Sequence, residues 1–162
     1  MLDLTKIPFK QVVFRSSRKG AKITHIIIHQ TEGPTAAGAI AWFMNKTCRV
    51  SAHYIVDKDG TITQLVKLED KAWHVANANP FSIGIEHAGI GKNGMKDITA
   101  PEWKASTELS AALCKKFNIP VKNILGHKDP WLKQFKNNHQ DPSPAWDMNK
   151  YRADVQALLN AG

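Results

Sequence analysis

A chain of 162 residues, 43% of them hydrophobic and 22% charged, can close one core, so a single domain over residues 1–162 is expected and a second is not. Its 22 Lys and Arg against 14 Asp and Glu give a formal charge of +8, which points to an anionic partner: nucleic acid, a membrane surface, or an acidic polymer such as bacterial cell wall. Nowhere do about 18 apolar residues follow one another, so neither a transmembrane helix nor membrane insertion is expected.

From Met1 to Gly20 single apolar residues alternate with Lys6, Lys10, Arg15, Arg18 and Lys19, without the continuous apolar run of a signal peptide; export would need another route. The β-branched run Ile23 to His29, bounded by Gly20 and by the polar Gln30 to Pro34, reads as a central strand covered on both faces. Thr35 to about Lys46 places Ala36, Ala39, Ile40, Phe43 and Met44 at helical spacing, which predicts a short amphipathic helix. Cys48 and Cys114 lie far apart with no Cys-x-x-Cys spacing, so both are expected as buried free thiols. Ala52 to Val56, then Asp57-Lys58-Asp59-Gly60, then Thr61 to Val66 predicts a hairpin, because Asp-Gly accepts the positive φ of a tight turn. Ser82 to His87 is the next strand, leading into a Gly89 to Gly94 loop expected to be flexible. Thr99-x-x-Glu102 resembles a capping box and opens a helix carrying Trp103, Leu109, Leu113 and Phe117, up to Asn118-Ile119-Pro120. Ile124-Leu125 is a last short strand, and Met148, Tyr151, Val155, Leu158 and Leu159 mark a C-terminal helix. The expected fold class is therefore α/β: one mixed central β-sheet flanked by α-helices.

Between the last strand and the last helix, Gly126 to Pro144 concentrates two imidazoles and two carboxylates in a proline-punctuated segment with little apolar surface to bury. That composition suits a site better than a core element. His25 and His29 would share a face on a helix, but four residues of strand span roughly 13 Å, so the pair cannot hold one ion. His29, at the strand's end, is the better candidate, and His25 reads as a satisfied core residue. His29, His127 and Asp141 would give Zn²⁺ two nitrogens and one oxygen and leave a fourth position for water; the alternative is a set of surface polar side chains. Trp73 and His74 could line a groove for substrate or form a packed core edge. His53 reads as structural. Asp129 could orient His127 or stand as a solvated loop carboxylate. Lys128, Lys133 and Lys136 could attract an anionic wall or belong to a solvated face.

Six motifs then fall in a recognisable order: His29-Gln30-Thr31 after the apolar strand, Ser51-Ala52-His53-Tyr54 leading to Asp59-Gly60-Thr61, Ala72-Trp73-His74, Ile83-Gly84-Ile85-Glu86, Gly126-His127-x-Asp129, and Asp141-Pro142-x-Pro144. Over roughly residues 21–159 the chain resembles the zinc-dependent N-acetylmuramoyl-L-alanine amidases of the amidase-2 family, related to amidase-type phage lysozymes and to peptidoglycan recognition proteins. The resemblance implies one catalytic Zn²⁺ held by His29, His127 and Asp141, with Glu86 as general base. Many relatives carry a lysine two residues before the aspartate ligand to stabilise the oxyanion; His139 stands there, and offers a charge only when protonated. Ser143 replaces a usual glycine and must fit a turn that can prefer positive φ. Ala52 stands where the cysteine-ligand branch often has a tyrosine, which favours Glu86 for the acid–base work.

The implied function is hydrolysis of the amide bond between N-acetylmuramic acid and L-alanine in peptidoglycan. The expected setting is a phage or prophage endolysin, cytoplasmic until released to the wall, monomeric and bacteriolytic; a cytoplasmic muropeptide-recycling amidase would look alike. A non-catalytic peptidoglycan-binding module would lack a ligand of the trio. Nucleic acid is not an expected partner, since the basic residues are scattered and form no recognised motif.

Overall fold

The computed structural model describes residues 1–89 and 98–162. Its frame is a five-stranded sheet in the order β4-β3-β6-β2-β7, formed by β2 (His25–Gln30), β3 (Tyr54–Val56), β4 (Ile62–Gln64), β6 (Ser82–His87) and β7 (Ile124–Gly126). β2, β3, β6 and β7 run parallel and β4 pairs antiparallel with β3, so the sheet is mixed, as expected. The Asp59-Gly60 turn joins β3 to β4, with Gly60 at φ +87° and a Cβ there only 2.9 Å from the Pro101 carbonyl oxygen, so both conformation and space require glycine.

β2 sits between two parallel neighbours, which explains its continuous apolar run: Ile26, Ile27 and Ile28 are all fully buried. Each such side chain contributes about 1.5–3 kcal/mol relative to exposure. The period of two then sorts the faces. Ile26, Ile28, Ile83 and Ile85 join the core with α2 (Ala100–Phe117) and α3 (Met148–Ala161), whereas Ile27 and Leu125 pack with Val75, Ala78 and Leu132 on the other side. Along β2 and β6 that leaves His29, Ser82, Gly84 and Glu86 on the face away from α2 and α3.

The helices form where the periodicity placed them. α1 (Ala36–Phe43) is capped by Thr35 and buries Ala36 and Phe43, but ends before Lys46 and leaves Met44 exposed. Thr99 caps α2 by accepting from the Glu102 amide, and Asn118 ends it in the left-handed region. Not foreseen was the ribbon of β1 (Arg15–Ser17) with β5 (Asp70–Ala72), whose short polar segments carry no alternation to read. Both cysteines are free as expected, but only Cys114 is buried; Cys48 is half-buried. The Gly89 to Gly94 loop extends, from residue 90 on, outside the described residues.

Candidate metal centre

Parallel strands end together, and the polar residues gather there. His29 and Glu86 are direct partners in the β2–β6 register, which sets the two side chains side by side on one face. β7 ends at Gly126 and delivers His127 beside them, where the His127 amide bonds the Ile28 carbonyl oxygen at 3.0 Å. Asp141 returns from the following loop: its backbone oxygen accepts from the Lys128 amide at 2.8 Å and its Oδ2 from the Gln30 amide at 3.1 Å. Gln30 also grips the loop through its side chain, Oε1 accepting from the Ser143 amide at 3.0 Å. Ser143 itself needs no positive φ, so its Cβ is accommodated.

The three residues converge. His29 Nδ1 lies 2.9 Å from His127 Nδ1 and 3.6 Å from Asp141 Oδ2, and His127 Nδ1 lies 3.0 Å from Asp141 Oδ1. Ligand bonds of about 2.0–2.1 Å in a tetrahedral N/O site separate ligand atoms by roughly 3.3 Å, so these spacings bracket what Zn²⁺ requires. The donor types fit too: two imidazole nitrogens and a carboxylate, with only Asp141 partly open to solvent.

Electrostatics separates the two carboxyl groups. Burial opposes ionisation of Asp141, but its hydrogen bond with His127, the neighbouring imidazoles and the Gln30 amide outweigh it and hold the pKa at about 2. Glu86 lacks such support; burial first, then the Asp141 charge, push it up to about 8. Its Oε1 is 3.9 Å from His29 Nδ1, and its Oε2 is buried without a partner among the described residues. Burial, with the other imidazoles adding to it, keeps His29 and His74 well below the ordinary histidine range, and therefore neutral.

The remaining expected residues separate. His139 stacks on the ring of His127, with centroids 4.0 Å apart, and its Nδ1 is 4.0 Å from Asp141 Oδ1. Asp129 does not back His127; its carboxylate accepts from the Trp131 amide and caps the 3-10 turn Pro130–Phe135. A carboxylate beside a free helix-start N–H finds its partner within two residues; Asn137, whose Nδ2 donates to the His127 carbonyl oxygen, holds the backbone there and not the ring. Trp73 and His74 diverge as successive residues after β5 do: Trp73 bonds Ser16 and packs on Phe14, away from the trio, while His74 is buried behind His29. His74 therefore offers no open surface to a substrate. His25 stacks on Trp131 and meets Phe81 edge-on at the opposite end of β2. Gln30 and Asn137 were missed; Gln30 stood inside the His29-Gln30-Thr31 motif, whereas nothing marked Asn137.

Relatives share this sequence. N-acetylmuramoyl-L-alanine amidase A of Achromobacter lyticus is 41% identical over 95 residues, covering 58% of this chain and 52% of that protein. The 1,6-anhydro-N-acetylmuramyl-L-alanine amidase AmpD of Escherichia coli (strain K12) is 33% identical over 115 residues, 66% of this chain and 59% of that one. The chain thus spans between half and three-fifths of these relatives' lengths. A crystal structure of a selenomethionine AmpD derivative superposes with a TM-score of 0.76 at 22% identity, covering 96% of this chain and 99% of the other, which shows the fold. Residues 19–144 match the family described as N-acetylmuramoyl-L-alanine amidase (Amidase_2), and the chain belongs to that family.

Proposed function

We propose that the protein is a zinc-dependent N-acetylmuramoyl-L-alanine amidase that hydrolyses the amide joining the lactyl group of N-acetylmuramic acid to L-alanine. The observation that carries this reading is the convergence of His29, His127 and Asp141 with Glu86 beside them at the strand ends. His29, His127 and Asp141 would hold a Zn²⁺, which would supply Lewis acidity to a carbonyl oxygen and lower the pKa of water. Glu86, pushed up to about 8 by burial and the Asp141 charge, would ionise more readily beside that positive charge and so be able to take a proton. Glu86 removes one proton as water oxygen bonds to the carbonyl carbon, then delivers it to the departing nitrogen as the C–N bond breaks; the second water proton follows to the amine, leaving a lactyl carboxylate and an L-alanine ammonium group. His139 lies at the open side of Asp141 and can donate one hydrogen bond to the developing oxyanion even when neutral. The +8 charge favours approach to an anionic wall.

The test is mass spectrometry of purified peptidoglycan digested with and without a zinc chelator. New lactyl carboxylates and L-alanine amino termini, lost on chelation and restored by Zn²⁺, are expected; the same products under full chelation would sink the metal dependence. Endolysin-like lysis of polymeric wall is the first setting proposed. Kinship with a 1,6-anhydro-muropeptide amidase favours a second, in which soluble fragments are recycled. A higher kcat/KM on intact sacculi supports the first, and on anhydromuropeptides the second.

A further inference from the structure

His29 shows its Nδ1 to the trio, and a metal can use that nitrogen only if the ring's proton sits on Nε2. The residues behind the ring decide where the proton goes. The Ala78 carbonyl oxygen has no hydrogen to give, so at 2.8 Å it takes the single hydroxyl hydrogen of Ser82. Ser82 Oγ then accepts from His74 Nε2 at 3.0 Å, which fixes the neutral His74 ring with its lone pair on Nδ1. That lone pair faces His29 Nε2 at 2.8 Å and must receive its hydrogen. The opposite arrangement turns the Ser82 hydrogen toward His74 and leaves two buried oxygens 2.8 Å apart with none between them.

We infer that His74, backed by Ser82, is a positioning residue of the metal centre: it holds the proton of His29 on Nε2, orients the ring, and so presents the Nδ1 lone pair to the ion. This rests on the reading of His29 as a metal ligand. It also gives the glycine of Ile83-Gly84-Ile85-Glu86 a physical cause. A Cβ on Gly84 would stand 2.6 Å from His74 Nδ1 and 2.8 Å from its Cγ, so the imidazole lies where any other side chain on β6 would be. The neighbouring motifs Ala72-Trp73-His74 and Ile83-Gly84-Ile85-Glu86 thus build one device behind the first ligand. The second histidine has no such support: His127 Nε2 is buried and unpartnered among the described residues.

The experiment begins on metal-free wild-type protein labelled with ¹⁵N, where two-bond ¹H–¹⁵N correlations at neutral pH report which nitrogen of His29 carries hydrogen. Nε2 is expected, and a hydrogen on Nδ1 overturns the inference without any metal. Zinc affinity is then measured by competition with a chromophoric chelator for wild type, His74→Leu and His74→Asn, with thermal melts confirming folding. His74→Leu should bind about 10–100-fold more weakly, the range for loss of an outer partner of a metal-bound histidine. His74→Asn, whose Oδ1 can stand in for Nδ1 as acceptor, should recover most of that loss. A folded His74→Leu with wild-type affinity, or a folded His74→Asn no better than Leu, overturns the positioning role. Failure of the wild type itself to bind zinc overturns the metal-centre reading instead, and the tautomer measurement separates the two failures.

Discussion

The site is assembled from two unlike arms. His29 and Glu86 stand on adjacent central strands whose register places them, with the chain behind each fully buried. His127 and Asp141 come from a loop between β7 and α3, held by individual hydrogen bonds from Lys128, Gln30 and Asn137. The backbone of the strand arm is positioned by a cooperative sheet, where no single ladder bond is decisive. The loop arm is positioned by a few separate bonds, where each one counts. A metal placed between them ties the loop to the sheet, so the order of mutational effects should reveal which arm fixes the geometry.

The largest expected effect is at the loop arm's own ligand. Asp141→Ala removes the only carboxylate of the trio and should weaken zinc binding by more than about 100-fold, beyond what loss of an outer partner gives; equilibrium dialysis with zinc analysis measures it. Full retention of zinc would leave the strand arm and His127 as the whole site. Glu86→Gln tests the strand arm chemically rather than structurally. It should keep zinc within a few-fold yet lower kcat by about 10²–10⁴, and unchanged turnover would remove Glu86 as base.

The contrast between the arms also explains what was legible in the sequence. Ile23 to His29 announced a strand, which runs His25–Gln30, and so put His29 near its end from periodicity alone. Glu86 could not: its partner in register lies 57 positions earlier (86 − 29), and only the motif order suggested their meeting. The three residues of the trio do converge, but the contacts around them follow other rules. Asp129 could orient His127 or stand as a solvated loop carboxylate; the carboxylate finds the Trp131 amide first. Trp73 and His74 could together line a groove or form a packed core edge; alternation sends the two side chains opposite ways. Local patterns report elements and their ends; which polar atoms meet across the sheet depends on pairings that no single segment encodes.

Acid should loosen the strand arm before the loop arm. His53, whose Nδ1 accepts from the Gly84 amide, is depressed to about 3 by burial and then by Arg18; His87, whose Nδ1 donates to the His29 carbonyl oxygen, is depressed to about 4 by burial. A histidine with a folded pKa below its unfolded value near 6.5 is protonated more readily in the unfolded chain, so stability is lost as pH falls from about 6.5 toward the folded pKa. Glu86, raised to about 8, acts in the opposite sense between 4.5 and 8, but the two histidines outweigh it. The metal-free protein should lose a few kcal/mol between pH 7 and 4, measured by urea unfolding. A flat profile would show that these rings do not brace the strands under His29 and Glu86.

Gln30→Ala is a milder probe of the loop arm, because it deletes the side-chain grip on the Ser143 amide while leaving the backbone bond from residue 30 to Asp141. Zinc affinity should fall about tenfold, the low end for an outer partner, with the melting temperature little changed. An equally large effect on stability would mean that the clasp belongs to the fold and not to the site.

The smallest effect is expected at His139. Its side chain is 63% exposed, it touches the site through the face of His127, and its Nδ1 stands 4.0 Å from Asp141, beyond hydrogen-bond reach. A buried oxyanion donor contributes 10²–10³ in kcat, but a donor this open competes with water, so His139→Ala should lower kcat only about fivefold. KM and zinc affinity should hardly move, because neither ligand depends on the outer ring for a hydrogen bond. His139→Lys, which places a permanent charge at the same opening, should match or exceed the wild-type kcat if the position serves the oxyanion, whereas a ring needed only to cover His127 would not be replaced by an aliphatic chain. A loss of 100-fold or more in His139→Ala would reverse the comparison between the arms: the loop would then carry chemistry as well as ligands, and the strand arm would be only its anchor.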